Sequence, residues 1–196
     1  MTLFRDLFMV MMFEQRYQTG PNNVSKHELL ILRHAKSAWN TDAATDFDRP
    51  LSKRGRRDAP RVGRFLAEQG LVPDYVVSSP AMRARQTVLA VCEQMGLAEA
   101  DMHWDERIYH ASTGSLMDVL AECPESAGRV MIAGHNPGLE MLVQTLCKHQ
   151  VPMPDDYKLM PTAAVAHLEI PGAWRDLDGG TAKLLSLTRA RSLKDR

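Results

Sequence analysis

Two histidines and two arginines in this sequence each follow a short apolar run, a place where side chains often reach a ligand. Arg33 and His34 follow the first run, Arg83 comes soon after the second, and His135 follows the third. The guanidinium group of arginine matches phosphate oxygens with two parallel donors, and a histidine side chain can act as a covalent nucleophile. These residue types therefore predict chemistry on phosphate or a similar dianion.

The four residues come together only if the apolar runs are parallel strands of one sheet. The runs at 29–32, 75–77 and 130–133 are wholly apolar, which is typical of strands buried on both faces. The carboxyl ends of parallel strands meet at one edge of a sheet, where ligands bind. Helices predicted to open at Pro80 and Pro137 would add free N–H groups to that edge.

Alternating strands and helices over residues 28–196 predict one α/β domain with three layers: a mostly parallel sheet with helices on both faces. Ser52 is the expected N-cap of a helix ending near Gly70, and Ser79 that of a helix ending before Gly96. A further helix is predicted at 114–121, and further strands at 100–105, 163–170 and 182–188.

Residues 1–27 are predicted to form an N-terminal extension and linker outside this domain, because residues 18–27 are polar and rich in turn-forming types. The apolar stretch at 7–13 is far shorter than the ~20 residues needed to span a bilayer. Glu14 and its neighbours stand where a signal peptide would need small residues for cleavage. We therefore expect no membrane partner.

The composition also bears on partners and compartment. The 24 basic and 24 acidic residues give a formal net charge of zero, so no global attraction to nucleic acid is expected. Cys92, Cys123 and Cys147 are dispersed, which indicates buried thiols in a reducing, cytoplasmic setting. Asp42, Asp46 and Asp48 resemble a metal cluster but lack the pattern of a calcium loop, and no metal or other cofactor is expected.

In their order along the chain, these motifs resemble those of the histidine phosphatases, also called the phosphoglycerate-mutase-like superfamily. The matching motifs are Leu32-Arg33-His34-Ala35, Ser79-Pro80-x-x-Arg83-x-x-x-Thr87 and Gly134-His135-Asn136-Pro137. A closer likeness to SixA, a branch of small phosphohistidine phosphatases, rests on Arg33-His34-Ala35-Lys36-Ser37-x-Trp39 and Asp48-Arg49-Pro50-Leu51-Ser52-x-x-Gly55. The resemblance extends from residue 28 to about residue 190 and implies a phosphoglycerate-mutase-like fold.

The resemblance implies a role for each matched residue. His34 would be the nucleophile, phosphorylated in an intermediate, and the phosphoryl oxygens would be held by Arg33, Arg83 and His135. Asn40 stands where many members place a further phosphate-binding amide. Ala35 departs from the glycine found in many members, which leaves the tightest substrate geometries in question.

A general acid for the leaving group is expected between Arg83 and His135, where the resemblance places it. Asp105, Glu106 and His110 are available there, and Glu106 is preferred, with an ordinary surface carboxylate as the equal alternative. A phosphohistidine substrate would need this acid less, because its imidazole can leave as a neutral molecule.

The leading hypothesis is a metal-independent phosphatase that removes phosphate from phosphohistidine on proteins. One alternative is a small-molecule phosphomonoesterase acting on sugar phosphates or nucleotides, and another is a non-catalytic module that binds phosphoproteins. A mutase is disfavoured because only 52 positions separate Arg83 from His135, which leaves little room for the lid that a mutase needs to exclude water.

A set of basic residues recurs at helical spacing: Lys53, Arg57, Arg61 and Arg64. A solvated helix face is the favoured interpretation, and docking of an acidic protein is the alternative.

Overall fold

A computed structural model of the chain describes residues 26–148, 151–152 and 154–193. Residues 1–25 of the predicted extension lie outside the described residues. The strands are β1 (Lys26–Arg33), β2 (Tyr75–Ser78), β3 (Met102–Trp104), β4 (Arg129–Gly134), β5 (Ala164–Pro171) and β6 (Lys183–Arg189). The α-helices are α1 (Lys53–Glu68), α2 (Met82–Glu93), α3 (Thr113–Ala121) and α4 (Gly138–Leu146). No helix in the described part is both long and apolar enough to cross a bilayer.

The strands form one mixed sheet in the order β3-β2-β4-β1-β5-β6. The pairs β1–β4, β2–β4 and β2–β3 are parallel, whereas β5 and β6 run antiparallel to their neighbours. The mostly parallel α/β sheet predicted from the sequence is therefore confirmed, with the two late strands closing one side.

Side chains of the central strands alternate between two separate cores. Leu29 and Ile31 of β1 pack in a cluster with residues of α3 and α4, whereas Leu30 and Leu32 pack in a cluster with residues of α1 and α2. Because successive side chains of a strand point to opposite faces, the wholly apolar run buries both faces of the sheet. The three predicted layers follow from this arrangement.

The predicted helix starts were correct for α1 and wrong for α2. The Oγ atom of Ser52 accepts a hydrogen bond of 3.1 Å from the Gly55 amide, as an N-cap should. In contrast, α2 begins only at Met82, and Ala81 is its N-cap. Ser79 lies two residues before that N-cap, where its amide extends the sheet by donating to the Ala133 carbonyl at 3.0 Å and its Oγ accepts from the Ala81 amide at 3.3 Å.

The first strand begins two residues before the predicted start of the domain at residue 28. β1 begins at Lys26, and the side chain of His27 is buried, with Nδ1 2.7 Å from the Gly172 carbonyl oxygen. This hydrogen bond ties the start of β1 to the turn after β5.

We predict that Gly63→Ala destabilises the fold by about 2 kcal/mol or more, a typical cost of overpacking. A Cβ atom at Gly63 would lie 2.3 Å from the Val91 carbonyl oxygen, so α1 and α2 would have to separate. Gly114→Ala is the matched control, because its Cβ would meet only Ser112 Oγ, at 3.8 Å. Urea unfolding of both variants tests this, and equal stabilities would contradict it.

Candidate active site

The site begins where three parallel strands end at the same edge. In the register of the sheet, Arg33 pairs with Gly134 and Ser78 with Ala133. The ladder continues one residue further, since the His34 amide donates to the Gly134 carbonyl at 3.0 Å. The three segments predicted to converge therefore do so.

The ring of His34 is buried and held in one tautomer by the backbone. Its Nδ1 atom lies 2.7 Å from the Ala35 carbonyl oxygen. Because a carbonyl only accepts, Nδ1 carries the proton and Nε2 keeps its lone pair. The Ala35 amide in turn donates to Thr87 Oγ1 at 2.9 Å, which fastens this segment to α2. The sequence did not reveal the orienting acceptor, because it is a backbone atom.

His135 lies beside His34, with the ring centroids 5.0 Å apart. Its Nε2 atom is 2.9 Å from Ser79 Oγ, whereas its Nδ1 atom is buried and has no hydrogen-bond partner among the described residues. An unpaired buried nitrogen is costly unless a ligand satisfies it. Ser79, which the sequence suggested as a helix cap, instead orients this imidazole.

Arg83 is buried and donates two hydrogen bonds to Asp46, a residue that the sequence analysis did not assign to the site. Arg83 donates through Nη1 to the Asp46 carbonyl at 2.5 Å and through Nη2 to Asp46 Oδ2 at 2.9 Å. Asp46 also accepts from Arg49 at 2.6 Å. The hydrogen bond from Arg49 is the main reason that the pKa of Asp46 falls to about 2, with the charge of Arg83 adding to it.

Arg33 approaches the site from the side of β5. Its Nη1 atom donates to the Met160 carbonyl at 2.6 Å, and its Nε atom is buried with no partner in the described part of the chain. Asn136 donates to the same carbonyl at 3.1 Å. The guanidinium is thus anchored at one nitrogen and keeps an unpaired donor.

Tyr109 is a second residue that the sequence did not reveal, and it lies on the loop expected to hold the acid. Its hydroxyl donates to Asp46 Oδ2 at 3.1 Å, and its ring meets His135 edge-on with the centroids 5.4 Å apart. The guanidinium carbon of Arg83 lies 5.7 Å from the centre of the same ring. No local motif marks this tyrosine, because only the packing of the loop brings it to the strand ends.

Two predicted site residues are not joined to this cluster. Asn40 is exposed in the loop after β1, and Glu106 is exposed at the start of a short 3-10 helix, Glu106–Ile108. Within the described residues, neither side chain makes a hydrogen bond or ion pair with His34, Arg83 or His135. Their assigned roles remain predictions.

Both imidazoles are held in the neutral form. Burial is the largest cause, and it is reinforced by the positive charges of Arg83 and Arg33, so that the pKa of His34 falls to about 4 despite the opposing hydrogen bond to Ala35. Burial and the neighbouring charges of His34 and Arg83 lower the pKa of His135 to about 3. At neutral pH the site therefore combines neutral ring nitrogens with two guanidinium charges, an arrangement suited to receiving a phosphoryl group.

The comparison with known families agrees with this geometry. The family model described as "Histidine phosphatase superfamily (branch 1)" matches residues 29–126, half of the chain. The chain belongs to the histidine phosphatase superfamily. It is accordingly a phosphatase, and its matched region runs from β1 through α2 to α3, the segment that carries His34 and Arg83.

This histidine phosphatase has relatives in bacteria and plants. It is 30% identical to an uncharacterized protein of Mycobacterium tuberculosis, over 79% of this chain and 96% of that protein. An uncharacterized chloroplastic protein of Arabidopsis thaliana is 33% identical, over 63% of this chain and 61% of that protein. Among solved structures, one from Nakamurella multipartitia, named as the phosphohistidine phosphatase SixA, superposes with a TM-score of 0.73 at 26% identity. The match covers 84% of this chain and 96% of that one, and it supports the SixA-type branch.

We predict that the rings of His34 and His135 stay neutral well below pH 6 in phosphate-free buffer. The unfolded chain protonates histidine near pH ~6.5, whereas the folded values are about 4 and about 3. The unfolded state therefore binds more protons in this window, and stability must fall as the pH drops from 6.5 toward 4. Imidazole ¹⁵N shifts followed against pH, with His34→Asn for assignment, test this. Protonation of His34 near pH 6.5 would contradict it.

Proposed function

We propose that this chain is a metal-independent phosphatase that works through a phosphohistidine at His34 and acts on phosphohistidine carried by proteins. The proposal rests chiefly on one observation: the Nδ1 proton of His34 is committed to the Ala35 carbonyl, which leaves Nε2 as a lone pair beside two guanidinium groups.

In the first step, His34 Nε2 attacks phosphorus and the bond from phosphorus to the leaving nitrogen breaks. The electron pair stays on the departing imidazole, which leaves neutral when its other nitrogen carries a proton. His34 becomes a phosphorylated imidazolium, and its Nδ1–H then donates to the Ala35 carbonyl as a charged donor, which strengthens that hydrogen bond. Water next attacks the phosphorus, the P–N bond breaks, and His34 is regenerated with release of phosphate.

The remaining residues would stabilise charge on the phosphoryl oxygens. Phosphoryl transfer depends mainly on positioning and electrostatic stabilisation. Arg33 Nε and His135 Nδ1 have no partner among the described residues. In the neutral tautomer of His135 whose Nε2 accepts from Ser79 Oγ, Nδ1 carries the proton and is a donor. Arg83 is held at both terminal nitrogens by Asp46, so its guanidinium plane is fixed before substrate arrives. Asn40 would add a donor if its loop closes over the substrate.

Two further points support a protein substrate. The segment between α2 and β4 is short and contains β3, α3 and two single-turn 3-10 helices. Tyr109 reaches the site from this segment, and so short a segment favours an open site over a closed chamber. The Nakamurella multipartitia structure is named as a phosphohistidine phosphatase. The three buried free cysteines fit the reducing cytoplasm as the place of action.

We predict that wild-type protein, quenched without acid during turnover of a ³²P-phosphohistidine protein in EDTA, carries an alkali-stable, acid-labile label. His34→Ala should lose both the label and turnover while remaining folded, because the attacking nitrogen is gone. His103→Ala is the control, since His103 stacks on Tyr75, away from the cluster. Label on serine or cysteine, or turnover that needs a divalent ion, would refute the mechanism.

We also predict that Glu106→Gln slows an alkyl phosphate ester about 100-fold or more, within the usual effect of a general acid, and leaves phosphohistidine hydrolysis nearly unchanged. Tyr109 is a poor substitute acid here, because its hydroxyl already donates a hydrogen bond to Asp46. Glu93→Gln, on the exposed end of α2, is the matched control. Equal slowing of both substrates would mean either that Glu106 is not the general acid or that phosphohistidine is not the substrate. A sugar phosphate that outperforms the phosphoprotein by orders of magnitude in kcat/KM would favour the small-molecule alternative.

A further inference from the structure

The outer surface of α1 and the residue facing its start carry a concentration of positive charge. We call this surface the basic face; its residues, all exposed, are Lys36, Lys53, Arg54, Arg57 and Arg64. Of the 16 residues in α1, six are Lys or Arg and two are acidic. On a helix, Lys53, Arg57 and Arg64 fall along one line because they are spaced by four and seven residues.

Asp58, the acidic residue in the middle of α1, does not neutralise this surface. Asp58 is only 3% exposed and is shared by Arg54 at 3.1 Å, Arg57 at 3.3 Å and Arg61 at 3.6 Å. One buried carboxylate facing three guanidinium groups leaves an excess of positive charge directed outward.

The helix dipole of α1 does not favour these charges at this place. The first turn of α1 contains no acidic residue, and four of its first five residues are basic. Cations near a helix N-terminus oppose the helix dipole and are unfavourable to stability. Local rules of this kind are broken mainly where function requires it.

The basic face starts at the mouth of the active site. Lys36 is two residues beyond His34, and its carbonyl oxygen accepts from the Ser52 amide at 2.8 Å and from Ser52 Oγ at 2.9 Å. The approach is so close that a Cβ on Gly55 would lie 2.2 Å from the same oxygen. The start of α1 is therefore fixed against the segment that leaves the proposed nucleophile.

The loop 42–48, between Lys36 and α1, carries Asp42, Asp46 and Asp48. Asp46 is neutralised by ion pairs with Arg83 and Arg49. An acidic partner would therefore be attracted toward the basic face rather than toward this loop.

We propose that the basic face docks an acidic protein segment and delivers the phosphohistidine beside it to His34. The inference rests on the proposed function, and it adds the chemistry of the partner's surface. Charge complementarity of this kind raises the association rate and selects partners, and it weakens with salt.

The test uses three phosphohistidine peptides of equal length, with glutamate, alanine or lysine flanking the phosphohistidine. Wild type should prefer the glutamate peptide over the lysine peptide by about 10-fold in kcat/KM at low salt. In Lys53→Glu/Arg64→Glu, this preference should disappear because KM for the glutamate peptide is no longer lower than KM for the lysine peptide. The kcat for the alanine peptide should be unchanged. Neither residue is paired with Asp58, and the glutamate at position 53 suits the helix dipole. Arg64 loses only an exposed hydrogen bond of 3.4 Å to Gln94, so we expect the variant to fold.

Arg175→Glu is the control. It lies in the 3-10 helix Trp174–Asp176, whose Trp174 ring packs on His27 at the opposite end of β1 from His34, and it should keep the wild-type preference. A double variant that keeps the preference would overturn the docking proposal. Wild type that hydrolyses none of the peptides would overturn the proposed function itself. Binding of phosphatidylserine vesicles that is lost in the double variant, with peptide kinetics unchanged, would assign the face to a membrane instead.

Discussion

The site depends on the parallel pairing of β1, β2 and β4 and on its continuation beyond the strands. The amides of His34 and Ser79 each add one more rung, at 3.0 Å, to carbonyls of β4. These two hydrogen bonds bring side chains from three distant parts of the sequence to one edge, because parallel strands end together. Thr87 adds the link to α2 by accepting from the Ala35 amide. A shift in register by one residue would turn His34 to the other face.

The electrostatics of the site follow from this placement. Packing the imidazoles among buried groups removes them from water, and the adjacent guanidinium groups make a second positive charge unfavourable, so both rings stay neutral. The positive charge of Arg83 is balanced by Asp46, which also accepts from Tyr109 and Arg49. The site is thus a set of fixed donors around neutral ring nitrogens. Its positive charge is supplied by Arg33 and Arg83, which are held by hydrogen bonds to the Met160 carbonyl and to Asp46.

Most of the fold could be predicted because short stretches of the sequence specify most of its strands and helices. The wholly apolar runs identified buried strands, and Ser52 identified the start of α1. The prediction failed at Ser79, where a serine followed by proline has the form of a helix start. There, pairing with β4 and the hydrogen bond to His135 took precedence over the local preference.

The motifs in the sequence were enough to predict the family and to propose His34, Arg33, Arg83 and His135 as the core of the site, because these residues follow strand ends. How their side chains are held follows from tertiary contacts. The acceptors that fix His34 and Arg33 are the backbone carbonyls of Ala35 and Met160, which no residue type reveals. Asp46 and Tyr109 come from loops whose course is set by packing against the rest of the molecule. Long-range contacts of this kind have no local signature, whereas a strand followed by a charged residue does.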